Sequence, residues 1–259
     1  MSLAVHTPDS VPGVLAALSE GGLVIAGGTH VMPRLNTEPS DVESLVSLRR
    51  AGLAGVAIVD GIARVGAATT LAQLGREPEL GFLRGALEAI ASPTIRNMAT
   101  VGGNLFVGQP YGDLAVCLLA LDAEVHVAGE NERTIEVGEP IAPGELVTAV
   151  TFELPGAANW RFTKAMRRRL NSASIVTVAA VVKPGDVRIA LGGVAPRPVR
   201  ARAAEALLTG KPLDREHVEA AAKAAVQDAE PFTDAYASAW YRERVLPVHV
   251  RRALLGEEA

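Results

Sequence analysis

Residues 99–115 read ATVGGNLFVGQPYGDLA. Gly102 and Gly103 stand between an apolar run and Asn104, and Pro110, Gly112 and Asp113 follow ahead of a second apolar run. Paired glycines weaken a strand. They serve where the backbone must approach another group closely or take a conformation closed to other residues. A second pair, Gly27-Gly28, follows the apolar run LVIA at 23–26. Thr29 follows the first pair in the chain and Thr100 precedes the later one. Two readings are open. Both pairs are tight turns, or each frees consecutive N–H groups into a concavity that binds an anion. A hydrogen bond to a charged oxygen contributes roughly 1.5–3 kcal/mol, so two such loops suit the two phosphates of one dinucleotide. Neither GxGxxG nor GxxxxGKS/T occurs, so a phosphate site here uses neither a Rossmann nor a P-loop scaffold.

The remaining sequence supports an α+β chain. Its 259 residues are 49% hydrophobic and 21% charged, with a net charge of −4. That is enough apolar material for one large or two modest domains. The N-terminus carries no basic region followed by an apolar core, so no signal peptide is expected. No apolar run is long enough for a membrane span. Helices are predicted over TPDSVPGVLAALSEGG (capped by Asp9 or Ser10), LAQLGREPEL (capped by Thr69 or Thr70), FLRGALEAIAS and GDLAVCLLALDA, the last capped by Asp113. Gly21-Gly22 precede LVIAGG, which reads as a short buried strand. Asp60-Gly61 inside VAIVDGIARVG marks a tight hairpin. EVHVAG, RTIEV and ELVTAVTFELP read as further strands. The composition changes near Pro155–Asn159, where a domain boundary is expected. Beyond it, SIVTVAAVV and DVRIALGGVA form two strands joined by KPGD, and the tail is helical. Pro247 is expected to kink or split the last helix.

Few side chains suggest chemistry of their own. Cys117 is the only cysteine, sits among leucine and alanine, and reads as a small buried apolar residue. Iron–sulfur and structural zinc sites are therefore not expected in this chain. His6, His30, His126, His217 and His249 show no metal-binding spacing, so no metal site is expected. Nothing marks a Ser/His/Asp hydrolase, and no catalytic residue is assigned. Aromatic residues make up 4%, which together with the negative charge argues against nucleic acid. Asp113 either caps its helix or accepts from a ribose hydroxyl. Asn104 either bonds its own loop or reaches a ligand. Lys164–Arg169, KAMRRR, is either a solvated strand face or a positive surface for a cofactor or partner. A chain with so few reactive groups points to chemistry carried by a cofactor.

LVIAGGTHVMP and IASPTIRNMATVGGNLFVGQPYGDLA resemble the two flavin-binding segments of the FAD-carrying medium subunits of molybdenum hydroxylases, the carbon monoxide dehydrogenase and xanthine dehydrogenase family. VGAATTLAQL, DVRIALGGVAPRPVRARAAEALLTGK and YRERVLPVHVRRALL agree in order, so the resemblance covers nearly the whole chain. It implies a PCMH-type FAD-binding domain over 1–157, made of two small lobes near 1–55 and 56–157. It also implies a C-terminal α+β domain over 158–259, an antiparallel sheet with helices. By position it implies FAD contacts at Ile25, Ala26, Gly27, Gly28, Thr29, His30 and Val31, at Thr100, Gly102, Gly103, Asn104 and Asp113, and at Lys164. It further implies a small partner subunit with two two-iron clusters and a large partner subunit with the molybdenum cofactor, in a cytoplasmic dimer of heterotrimers. In such an assembly the flavin passes electrons to NAD⁺, a quinone, oxygen or another acceptor. Two rival readings are a free-standing flavoprotein of the same fold and a non-catalytic assembly subunit without FAD. His30 stands where relatives often have Asp, Ser or Glu. Residues 109–112 replace a Ser/Ala-rich stretch, and Tyr111 there either lies over the flavin or packs at its loop. The 130–146 region is short for the family, which bears on access to the flavin edge.

Overall fold

The computed structural model describes residues 3–38, 40–168, 171–183 and 185–256. Arg169 of the basic run and Pro184 of the KPGD turn lie outside the described residues. The architecture is α+β, built on three sheets.

The first sheet is small and parallel. It contains β1 (Ala4–His6), β2 (Leu23–Ile25) and β3 (Ser44–Ser47), ordered β1-β3-β2. Helix α1 (Val11–Ser19) starts at Ser10, whose hydroxyl accepts from the Gly13 N–H. Helix α2 (Val31–Thr37) follows β2 directly after the first glycine pair. Val14, Leu18, Val46 and Leu48 form the core here. The strand expected to be buried is not: Leu23 is 37% exposed, because β2 is an edge strand of a three-stranded sheet.

The second sheet begins with the hairpin β4 (Val56–Val59) and β5 (Ile62–Gly66). Asp60 and Gly61 both have positive φ, 50° and 77°, as a two-residue turn of this type requires. Four short helices follow: α3 (Leu71–Leu74), α4 (Arg84–Glu88), α5 (Pro93–Arg96) and α6 (Val101–Leu105). Two of these are shorter than their sequences suggest. A 3-10 turn begins at Pro78, and Ala91 takes φ +46° before Pro93 opens α5. Helix α7 (Asp113–Ala120) is buried along its whole length. Its N-cap is Gly112 at φ +81°, not Asp113. Strands β6 (Glu124–Ala128), β7 (Arg133–Glu136) and β8 (Leu146–Glu153) complete the order β4-β5-β8-β6-β7.

The third sheet is antiparallel: β9 (Trp160–Met166), β10 (Ser174–Lys183), β11 (Asp186–Gly192) and β12 (Val199–Arg200), ordered β12-β11-β10-β9. Strand β10 is buried on both faces over its first eight residues, because each face has its own cover. Ala179 and Val181 join the core that contains α7. Val176, Val178 and Ala180 pack with α8 (Arg202–Leu208), α9 (Arg215–Ala224) and α10 (Ala239–Leu255). Helix α10 runs unbroken through Pro247. A proline there costs about 3 kcal/mol, and the fully buried Leu246 and Val250 on either side offset it. Helix α7 is thus the joint between the second and third sheets, and the loop that precedes it lies at their seam.

Candidate functional site

A cavity of about 890 Å³ lies where the three sheets meet. Ligand sites for compounds of cofactor size span about 300–1,000 Å³. All residues expected from the sequence line it except Ile25. Ile25 instead lies beside Gly28, where its side chain would touch an added Cβ at 3.4 Å.

The first glycine segment enters the cavity between β2 and α2. A Cβ on Gly27 would lie 1.8 Å from the Met98 carbonyl oxygen, so only glycine lets this loop rest on the 98–99 backbone. Gly28 takes φ +69°, which turns the chain into α2. His30 holds the N-cap position of α2, yet its side chain caps nothing. Among the described residues no acceptor takes the N–H groups of Gly27, Gly28, Thr29, His30 or Val31. Arg34, one turn further on, also lines the cavity, and its exposed side chain pairs with Glu38 at 3.4 Å.

The second segment is built differently. Gly102 and Gly103 sit in the first turn of α6, whose N-cap is Thr100. The Gly102 N–H donates to Ala67 O at 2.8 Å, and the Gly103 N–H to the Thr100 hydroxyl at 3.2 Å. Val101 and Asn104 N–H groups are likewise taken, by Thr69 O and Thr100 O. The anion concavity considered for this pair is therefore absent among the described residues, because its own helix cap and the turn at 67–69 occupy the donors. Its glycines serve close approach. A Cβ on Gly102 would press on Ala67 at 3.1 Å, whereas one on Gly103 meets only the Thr100 hydroxyl. Asn104 bonds inward, its Oδ1 accepting from Ala115 N–H at 3.3 Å.

Asp113 ties the second sheet's helix to the third sheet. Its Oδ2 accepts from Lys164 Nζ at 2.8 Å and its Oδ1 from the Thr177 hydroxyl at 2.7 Å. Lys164 also donates to Ala89 O at 2.9 Å, and both side chains are over nine-tenths buried. The helix-capping role expected for Asp113 is not found, and both its oxygens are engaged across the seam. Of the basic run, Lys164 is buried in this pair, while Arg167 donates to Ala235 O at 3.1 Å. Cys117 lies within α7, fully buried. Burial first, then the Asp113 charge, pushes its thiol well above the ordinary range, so it carries no reactive thiolate.

Several lining groups escaped the sequence reading. Glu145, at the mouth of β8, accepts two hydrogen bonds from Arg133 at 2.8 and 2.9 Å and one from Ala142 N–H. These hold its carboxyl down to about 2, Arg133 contributing most. Tyr236, in the loop before α10, meets Tyr111 hydroxyl to hydroxyl at 2.9 Å. Neither had a sequence signal, since each reaches the cavity through a loop conformation. Among the described residues no group of three His, Cys, Asp or Glu side chains is placed to hold a metal ion.

The family described as the FAD binding domain in molybdopterin dehydrogenase matches residues 1–152, and the CO dehydrogenase flavoprotein C-terminal domain matches residues 161–256. The chain belongs to this FAD-binding family of the molybdopterin dehydrogenases. It is 35% identical to the alpha subunit of the 6-hydroxypseudooxynicotine dehydrogenase complex of Paenarthrobacter nicotinovorans, over 95% of this chain and 91% of that one. It is 29% identical to the carbon monoxide dehydrogenase medium chain of Hydrogenophaga pseudoflava, over 96% and 94%. The solved structure of reconstituted CO dehydrogenase from Oligotropha carboxidovorans superposes with a TM-score of 0.91 at 28% identity, over 98% and 97% of the two chains. The family is that of the medium, FAD-binding subunits of molybdenum hydroxylases, flavin-dependent oxidoreductases assembled from several chains. The cavity fits that cofactor: it pairs a run of unpaired main-chain donors with a wall of bare glycine. Among the described residues no helix is long and apolar enough to cross a membrane.

Proposed function

We propose that the chain holds FAD in this cavity, with the diphosphate against the N–H groups of Gly27–Val31 and the chain of the cofactor laid over Gly103. In this reading it takes electrons from a small iron–sulfur subunit and delivers them through the flavin to a final acceptor. A large subunit carrying molybdenum oxidises the substrate. The observation that carries the proposal is the run of unpartnered N–H groups on a cavity wall. Charged oxygens are the acceptors such a run favours. FAD, once bound, supplies the exchange between two-electron and one-electron transfer. The chain's own residues bind and orient it. Arg34 adds a positive charge on the same wall, and the Asp113–Lys164 pair fixes the two sheets that bound the cavity.

The same proposal divides the chain into an FAD-binding unit over 1–157, with lobes near 1–55 and 56–157, and a C-terminal unit over 158–259. The family matches to 1–152 and 161–256 support that division. It places the chain in a cytoplasmic dimer of heterotrimers. The short 130–146 region is closed on itself by the Arg133–Glu145 pair and still brings Ile141 and Glu145 to the cavity, so it remains part of the cofactor's surroundings. The test is to purify the full chain, alone and co-expressed with its partner subunits, and measure its absorbance. One flavin per chain with a band near 450 nm is the expected result. A folded, colourless chain that takes up no added FAD contradicts the proposal.

A further inference from the structure

We propose that Tyr111 and Tyr236 together form the aromatic wall that positions the flavin's planar ring system; the inference rests on the FAD reading above. The two residues come from opposite sides of the seam, Tyr111 from the loop before α7 and Tyr236 from the loop before α10. Both line the cavity. Their hydroxyls are 2.9 Å apart, and their rings meet edge to face with centroids 6.3 Å apart at 87°.

The pair is held firmly. The Tyr236 N–H donates to Asp234 Oδ1 at 2.8 Å. Asp234 in turn receives two hydrogen bonds from Arg242, which is fully buried and also donates to the carbonyls of Ser174, Ile175 and Gly193. Burial works to raise the Asp234 carboxyl, but the Ala237 and Tyr236 N–H groups and the guanidinium outweigh it, so it stays below the usual range and charged. On the other side, the Tyr111 loop is fixed by Gln109, whose Oε1 accepts from Gly193 N–H at 2.7 Å. Both loops therefore converge on Gly193.

Despite that anchoring, Tyr111 is 47% exposed. A rigidly placed ring that lines a cavity yet leaves half its surface uncovered has room for a further ring. Aromatic rings favour offset-stacked or edge-to-face neighbours at 4.5–7 Å. FAD carries two flat ring systems, adenine and flavin. The seam is open to solvent at Tyr111, and electrons must enter and leave by the flavin, which adenine does not require. Tyr111 also brings no charge to the ring. The hydrogen bond from Tyr236, and then burial, raise the Tyr111 phenol to about 12, so it stays neutral across the physiological range.

The experiment measures emission intensity and lifetime of flavin bound to the full chain. A phenol touching an excited flavin donates an electron and takes it back, which quenches emission without net reaction. The wild-type chain is expected to show strongly quenched flavin. Y111L and Y236L should each raise emission several-fold per flavin bound, with occupancy read separately from absorbance. Y236F keeps both rings and should lower the Tyr111 titration from about 12 towards its ordinary value of 10, read by ultraviolet absorbance. Y111F covers the case in which a leucine variant fails to fold: phenylalanine cannot donate the electron, so emission should rise there too. Variants that bind FAD with wild-type emission and lifetime overturn the proposal, including the outcome in which adenine occupies this wall. A wild-type chain without bound flavin overturns the FAD reading itself, and is recognised by the missing absorbance band.

Discussion

The two glycine pairs look alike in sequence and act differently in the fold. At Gly27-Gly28 the backbone N–H groups have no acceptor among the described residues and both residues line the cavity, while Gly27 lets the loop lie on Met98. At Gly102-Gly103 every backbone donor is taken, by Ala67 O and the Thr100 hydroxyl, and the adjoining Asn104 and Asp113 also turn inward. The first segment is the one that offers hydrogen bonds. The second is a scaffold that offers a smooth surface and fastens the sheets together. A glycine pair therefore reports only that side chains are excluded, and the fate of the N–H groups decides whether an anion is held.

This contrast can be broken in order of expected effect. Lys164→Met strands the Asp113 carboxylate in the seam below the second segment, and loss of one partner of a buried pair costs about 3–5 kcal/mol. Denaturant unfolding should show that loss, and the double variant K164M/D113N should recover much of it. Gly27→Ala drives a Cβ into the Met98 carbonyl, where backbone cannot yield, at a cost of about 3 kcal/mol, with FAD uptake lost as well. On the scaffold side, Thr100→Ala removes the cap of α6 and should cost about 1 kcal/mol. Gly103→Ala should stay within about 1 kcal/mol of wild type while FAD occupancy falls, because Gly103 lines the cavity and its new methyl would meet only the Thr100 hydroxyl. Equal losses of stability at Gly27 and Gly103 would erase the distinction. The smallest effect is expected at Glu145, whose folded carboxyl lies at about 2 against an ordinary 4.5. Its contribution is complete above pH 4.5 and is lost as pH falls towards 2. The stability gap between wild type and E145Q should close over that window in pH-dependent denaturation.

Much of this arrangement was legible beforehand, and the failures share a cause. Local signals held: Ser10 and Thr70 cap their helices, and Asp60-Gly61 makes its hairpin. They act over three or four residues, so tertiary packing has little room to override them. Asp113 misled because an acidic residue beside a helix start resembles a cap, whereas a buried lysine and threonine from another sheet compete for it and prevail. Pro247 does not split α10, because its local cost is set against burial of Leu246 and Val250, which the sequence pattern alone does not show. The residues lining the site were legible as glycine segments. Tyr236 and Glu145 were not, since they arrive from loops whose course depends on the assembled sheets.

The most direct test follows the amide signals of the labelled full chain as FAD is added. Unpartnered donors that acquire a phosphate oxygen shift strongly downfield, and donors already bonded within the chain move little. The account predicts large shifts within Gly27–Val31 and small ones at Gly102 and Gly103. Large shifts at Gly102 and Gly103, with Gly27–Val31 unmoved, would contradict it.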